Sequence, residues 1–231
     1  MKRFYESVGT QSVDAMWQVT LDGRGLKTVK GTPQMVPNRP LAQALAREWE
    51  QQGEKLDPAS FPMRDMADYA IDIVAADLGG VADKLVTYGD TDTLCYRADP
   101  DEPLFAHQQK VWEPLVKAFE ARESVEMTRV SGIVHHPQPD ATMATLRARL
   151  STANPFALAG IEAMSSLAAS LVIGLTAARP DTEPTELWRA ASLEEEWQAD
   201  LWGRDPEAEE RRAKREADFL RACEFTRLAQ G

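Results

Sequence analysis

The sequence predicts an α+β protein: a small, strand-rich N-terminal α+β domain (residues 1–60) followed by an all-α, orthogonal helix-bundle domain (residues 61–231). Three observations predict it. Apolar and polar residues alternate with a period of two along much of the first sixty positions. After Asp57-Pro58 the period lengthens to about 3.6 and mostly stays there. Finally, an apolar run of 16 residues, 163–178, demands other helices around it. A chain of 231 residues is long enough to bury a core without disulfides or metal.

The elements follow in order. Trp17, Val19 and Leu21 alternate with polar neighbours, and Asp22-Gly23 supplies the positive-φ pair of a tight hairpin, which makes Gly23 structural. Leu26 and Thr28 resume the alternation, and a short strand around Met35 and Val36 ends at Pro37. Asn38 then caps a helix whose stripe is Leu41, Ala42, Leu45, Ala46 and Trp49, so Trp49 is expected to be buried and structural. Met66, Ala67, Ala70, Ile71 and Val74 mark a helix ending near Gly79-Gly80, and a shorter one spans 81–88. Phe105, Gln108, Trp112, Leu115 and Phe119 mark another, with Pro114 expected to kink or restart it. A short strand is expected within SVEMTRVSGIV, then a helix through Met143, Leu146 and Leu150. Asn154-Pro155 opens a long apolar helix, and two more follow at about 184–202 and 207–228.

Composition narrows the function. Against 26 basic residues stand 37 acidic ones, a net charge of −11 that repels phosphate backbones and anionic lipid. Nucleic acid and membrane insertion are therefore excluded as expectations, and the longest apolar run falls short of the roughly 20 residues a span requires. The opening, MKRFYESVGTQSVDAMW, has neither the apolar core of a signal peptide nor the composition of a transit peptide. Cys95 and Cys223 stand far apart with no CxxC or Cys/His grouping, which suits a reducing compartment. No metal-ligand spacing occurs, and the neighbouring His135 and His136 point to opposite faces of an extended segment. Asp22-Gly23-Arg24-Gly25 lacks the pattern of a phosphate loop and opens a strand, so no nucleotide, metal or other cofactor is expected. Gly89-Asp90-Thr91-Asp92 resembles half a calcium loop but reads as a cap or turn. No catalytic set emerges. The rival class is an acidic hydrolase using Asp90 and Asp92 with His135, or another acidic protein-interaction module.

The informative stretch is PTELWRAASLEEEWQADLWG, residues 184–203. On one continuous helix Ala190, Leu193, Trp197 and Leu201 form a core stripe, with Trp197 structural. Trp188, Glu195 and Trp202, spaced by sevens, would align along another face. Two tryptophans around a carboxylate there require either a covering protein layer or a partner with matching pockets. Glu194 lies at the margin of the core stripe.

LEEEWQADLWG closely resembles the C-terminal signature of an assembly chaperone family of mitochondria and alpha-proteobacteria, which handles the alpha subunit of the F-type ATP synthase catalytic sector. LDGRGLKTVKGTPQMVP, LAQALAREWEQQGEKLDPASFPM with its Glu48-Trp49 pair, YGDTDTLCYRA and the Trp112-Glu113-Pro114-Leu115 stretch resemble further family motifs, in order, over about residues 3–228. The resemblance implies a non-enzymatic protein that holds the alpha subunit, without nucleotide, until the beta subunit replaces it. It implies a bacterial cytoplasmic location, or the mitochondrial matrix for a eukaryotic mature form. It also puts the partner-binding emphasis on Glu194 or Glu195, and with them Trp188, Trp202 and Gln198 form the candidate surface.

Overall fold

A computed structural model describes residues 1–231. It divides into two compact units: Met1–Leu78 with Asn154–Gly160 and Glu224–Gly231, and Gly79–Ala153 with Ile161–Cys223.

In the first unit, strands β1 (Val8–Val13), β2 (Met16–Leu21), β3 (Arg24–Gly25) and β4 (Met35–Val36) form one antiparallel sheet in which β2 pairs all three others. The β2–β3 turn has Asp22 at φ 48° and Gly23 at φ 76°, the left-handed pair expected from Asp-Gly. Asp22 also accepts hydrogen bonds from the Glu6 and Ser7 backbone amides, which hold its carboxyl below the usual carboxylate range. Strand β1 left little trace in the sequence because most of its residues are solvent-exposed on both faces, so no alternation marks it.

Helix α1 (Arg39–Glu50) begins where the Asn38 side chain accepts from the Leu41 amide at 2.9 Å. Its buried stripe carries Leu41, Leu45 and Trp49. The Trp49 ring meets Tyr5 edge-on at 5.6 Å and Phe61 at 4.6 Å. The neighbouring Glu48 carboxylate accepts from the Met63 and Arg64 amides, closing the N-terminus of helix α2 (Pro62–Asp72). Helix α2 is also tied to the sheet side of this unit. Asp68 accepts from Gln34 at 2.5 Å and from the Val29 amide, and Thr28 donates to Asp72. These bonds carry the first unit past residue 60, to Leu78.

The second unit is mainly helical. Helix α3 (Leu78–Asp90) includes Gly79 and Gly80, which were expected to end the preceding helix. After a short 3-10 turn come strand β5 (Tyr96–Arg97) and helix α4 (Pro103–Glu123), which runs through Pro114. Strand β6 (Val130–Ser131), inside the predicted segment, pairs parallel to β5. Helix α5 (Asp140–Ser151) follows.

The long apolar helix is corrected to two, α6 (Pro155–Ala168) and α7 (Leu171–Ala177). Ala169 turns left-handed at φ 47°, and Ser170 caps α7 by accepting from the Ile173 amide. Asp92 completes this junction from 80 positions away, accepting from the Val172 amide at 2.9 Å and the Ser170 hydroxyl at 2.7 Å. The predicted 184–202 helix is likewise two, α8 (Pro184–Ala191) and α9 (Leu193–Trp202), before α10 (Pro206–Gln230). The core of this unit includes Leu85, Trp112, Phe119, Leu146, Ile173, Trp188 and Phe219. No helix is long and apolar enough to cross a membrane.

Candidate functional site

The signature segment breaks at Ser192, whose amide still bonds the Trp188 carbonyl and whose carbonyl accepts from the Glu196 amide. Trp188 on α8 is only 2% exposed, packs 5.4 Å from the Phe219 ring and lies under the Arg215 guanidinium. It is core: α10 covers this part of the face, since Arg215 both lies over the Trp188 ring and pairs with Glu195, and Trp202 at the far end stays exposed. Trp202 is 78% exposed at the end of α9, and Leu201, expected on the core stripe, is 61% exposed beside it. Trp197 is half-buried against the His107 ring at 5.6 Å, so the stripe faces inward at Leu193 and turns outward at Leu201.

The three glutamates go three ways. Glu195 ion-pairs with Arg215 on α10 at 2.8 Å. Glu196 pairs with Arg204 at 3.0 Å and with Arg212, while Arg204 also reaches Asp200 and Glu209. Glu194 turns to the opposite side, where Gln108 donates to it at 2.6 Å. Burial pushes the Glu194 carboxyl above its usual value, and the Gln108 bond opposes that. Gln198 is exposed, and it shares with Glu195, Ala199, Trp202, Arg211 and Arg215 a shallow cavity between α9 and α10.

Glu194 stands where three of the family-like motifs meet. The same Gln108 that holds it accepts from the Ala98 amide at 2.8 Å, fixing the end of YGDTDTLCYRA against α4. Arg97, 3% exposed, donates to the Leu94 carbonyl and to Glu113 and lies over the Trp112 ring. Trp112 in turn donates its indole N–H to the Ala190 carbonyl at 2.7 Å. This convergence joins positions 86 apart and had no local signal in the sequence, because each bond is made by a residue whose spacing alone reads as ordinary helix.

The rival catalytic residues do not converge. His135 bonds Asp90 at 2.9 Å on the surface, whereas Asp92 is fully buried at the α7 N-terminus. Burial pushes the Cys95 thiol far up, away from thiolate chemistry. No group of three or more His, Cys, Asp or Glu side chains is placed to hold a metal ion.

Because Glu195 is half exposed, Glu195→Gln is expected to leave the thermal midpoint nearly unchanged, within about 0.5 kcal/mol of stability. A pronounced drop in a melting experiment would show instead that the α9–α10 ion pairs hold the fold.

A family model described as ATP12 chaperone protein matches residues 2–120. The mitochondrial protein atp12 of Schizosaccharomyces pombe is 26% identical over 221 residues, covering 90% of this chain and 76% of that protein. The crystal structure of Atp12 from Paracoccus denitrificans is 34% identical, covers 99% of this chain and 98% of its own, and superposes with a TM-score of 0.93. A solved protein of Agrobacterium tumefaciens, 33% identical over 100% of this chain and 86% of its own, gives the same score.

Proposed function

Because this chain belongs to the ATP12 chaperone family, we propose that it is an assembly chaperone that binds the unassembled alpha subunit of F-type ATP synthase. It holds that subunit without catalysis and without nucleotide until the beta subunit takes its place. Family membership carries the reading; the resemblance of LEEEWQADLWG to the family's C-terminal signature supports the choice of client. A bacterial cytoplasm, or the mitochondrial matrix in a eukaryote, is the location that goes with it.

The physical task agrees with the surface. A subunit interface waiting for its partner exposes apolar area and aggregates. A holder needs apolar anchors, charge for orientation, and an affinity below that of the final partner. Leu201 and Trp202 offer an exposed aromatic-aliphatic edge, with Gln198 and Glu195 beside it. We assign these residues to client binding.

The purified chain is expected to suppress aggregation of alpha subunit diluted from denaturant, in the absence of ATP. Light scattering measures this, and unchanged scattering at several-fold molar excess overturns the proposal. Trp202→Ala should weaken the protection by about 1–3 kcal/mol of binding while leaving the fold intact, since an exposed ring contributes little to stability.

A further inference from the structure

A cleft of about 760 Å³ opens on the side of the second unit where Glu194 emerges. Tyr96, Ala98, Leu104 and Ile133 give it an apolar lining, and Asp99, Glu102 and Glu194 give it carboxylates. The loop after β6 raises Ile133, 98% exposed, and Val134, 68% exposed, at its edge. Two adjacent β-branched aliphatic side chains this bare are costly to leave in water.

The charge inside the cleft is one-sided. Its arginine, Arg97, is already committed to Leu94, Glu113 and Gln109, and its histidine, His135, is bonded to Asp90. Asp99 and Glu102 are exposed and make no ion pair. Glu194 has one carboxylate oxygen on Gln108 and the other unbonded. The Tyr96 hydroxyl, in the cleft wall, is buried without a hydrogen-bond partner in the chain. An apolar cleft with three unneutralised carboxylates complements a cation carried next to an apolar group.

We propose that this cleft seats a segment of the unassembled client in which a lysine or arginine stands beside an apolar side chain, the apolar group against Ile133 and Tyr96 and the cation among Asp99, Glu102 and Glu194. The inference rests on the chaperone reading above and adds a second contact, lined by Glu194 and separate from the cavity that Trp202 lines. Two separate contacts hold a flexible client by avidity while each remains weak enough to release.

The test uses the full chain with alpha subunit diluted from denaturant. Asp99→Lys combined with Glu102→Lys is expected to raise the concentration needed for half-maximal protection by about tenfold. Ile133→Ser should raise it several-fold. All these side chains are exposed, so unchanged thermal midpoints are expected and show that the fold survives. A control with the same charge change in the first unit, apart from both contacts, Glu50→Lys with Glu54→Lys, should stay within about twofold, which separates local from net charge. If wild type protects and the cleft variants protect equally well, the cleft proposal is overturned and the chaperone reading stands. If wild type does not protect, both fall. If sedimentation shows a wild-type dimer that the cleft variants abolish, the occupant is a second copy of this chain, and the proposal is again overturned.

Discussion

Trp49→Ala is expected to destabilise the strand-rich unit by about 3–5 kcal/mol, a large share of a typical domain's stability. The indole is nearly buried and sits between Tyr5 and Phe61, with the Arg64 guanidinium over its ring at 5.9 Å. Its N–H has no hydrogen-bond partner in the chain, so the loss is one of packing and cavity formation, not of a bond. The Tyr5 hydroxyl bonds the Trp49 carbonyl, which alanine retains, so the neighbouring ring cannot easily collapse into the void. Trp49→Phe should recover part of the loss, because a smaller ring still fills much of the space. Urea denaturation with Tm measurement checks both. A Trp49→Ala protein of native stability and impaired client binding would move this residue from the core to the partner surface.

Asp92→Ala is expected to cost about 3 kcal/mol in the helical unit, by orphaning buried donors. The carboxylate accepts from the Leu94 amide, the Ser170 hydroxyl and the Val172 amide, and it closes the α7 N-terminus. Burial raises its pKa to about 6, against the hydrogen bonds from Val172, Ser170, Leu94 and Leu171. Between pH 3.8 and about 6 the folded state therefore holds a proton that the unfolded chain has released. Stability drawn from this group falls as pH rises through that window and is level above it. Asp92→Asn should abolish that slope, yet remain less stable than wild type at pH 7, because its amide NH2 faces the Val172 donor. Denaturation midpoints at pH 4, 5, 6 and 7 check the sign; a wild-type slope that survives in Asp92→Asn would assign it to another group.

What the sequence showed and what it concealed divide along a physical line. Asp22-Gly23, Asn38 and the Leu41–Leu45–Trp49 stripe were legible because turn conformation, capping and amphipathicity are decided within a few residues. The breaks at Ala169 and Ser192 were not, because the apolar pattern continues across both. At the first of them Asp92 meets the helix start from 78 positions away. At the second, what the sequence could not show is the cover: α10 packs on Trp188 and Glu195 through Arg215 and leaves Trp202 exposed. Glu194 and Glu195 could not be told apart in sequence, since one is settled by Gln108 on α4 and the other by Arg215 on α10. The acid-lined cleft was invisible for the same reason.

The arginines that take up Glu195 and Glu196 have a consequence for how the chaperone responds to its medium. Those carboxylates are already compensated by Arg204, Arg212 and Arg215, so the Trp202 edge presents nearly neutral ground to an approaching client. Adhesion there should be almost indifferent to ionic strength. The cleft carboxylates have no such compensation, and at about 150 mM salt their field reaches only some 8 Å. Added salt should therefore slow capture through the cleft while leaving the aromatic grip in place, which gives the two contacts separate kinetic signatures: one that governs arrival, and one that governs residence.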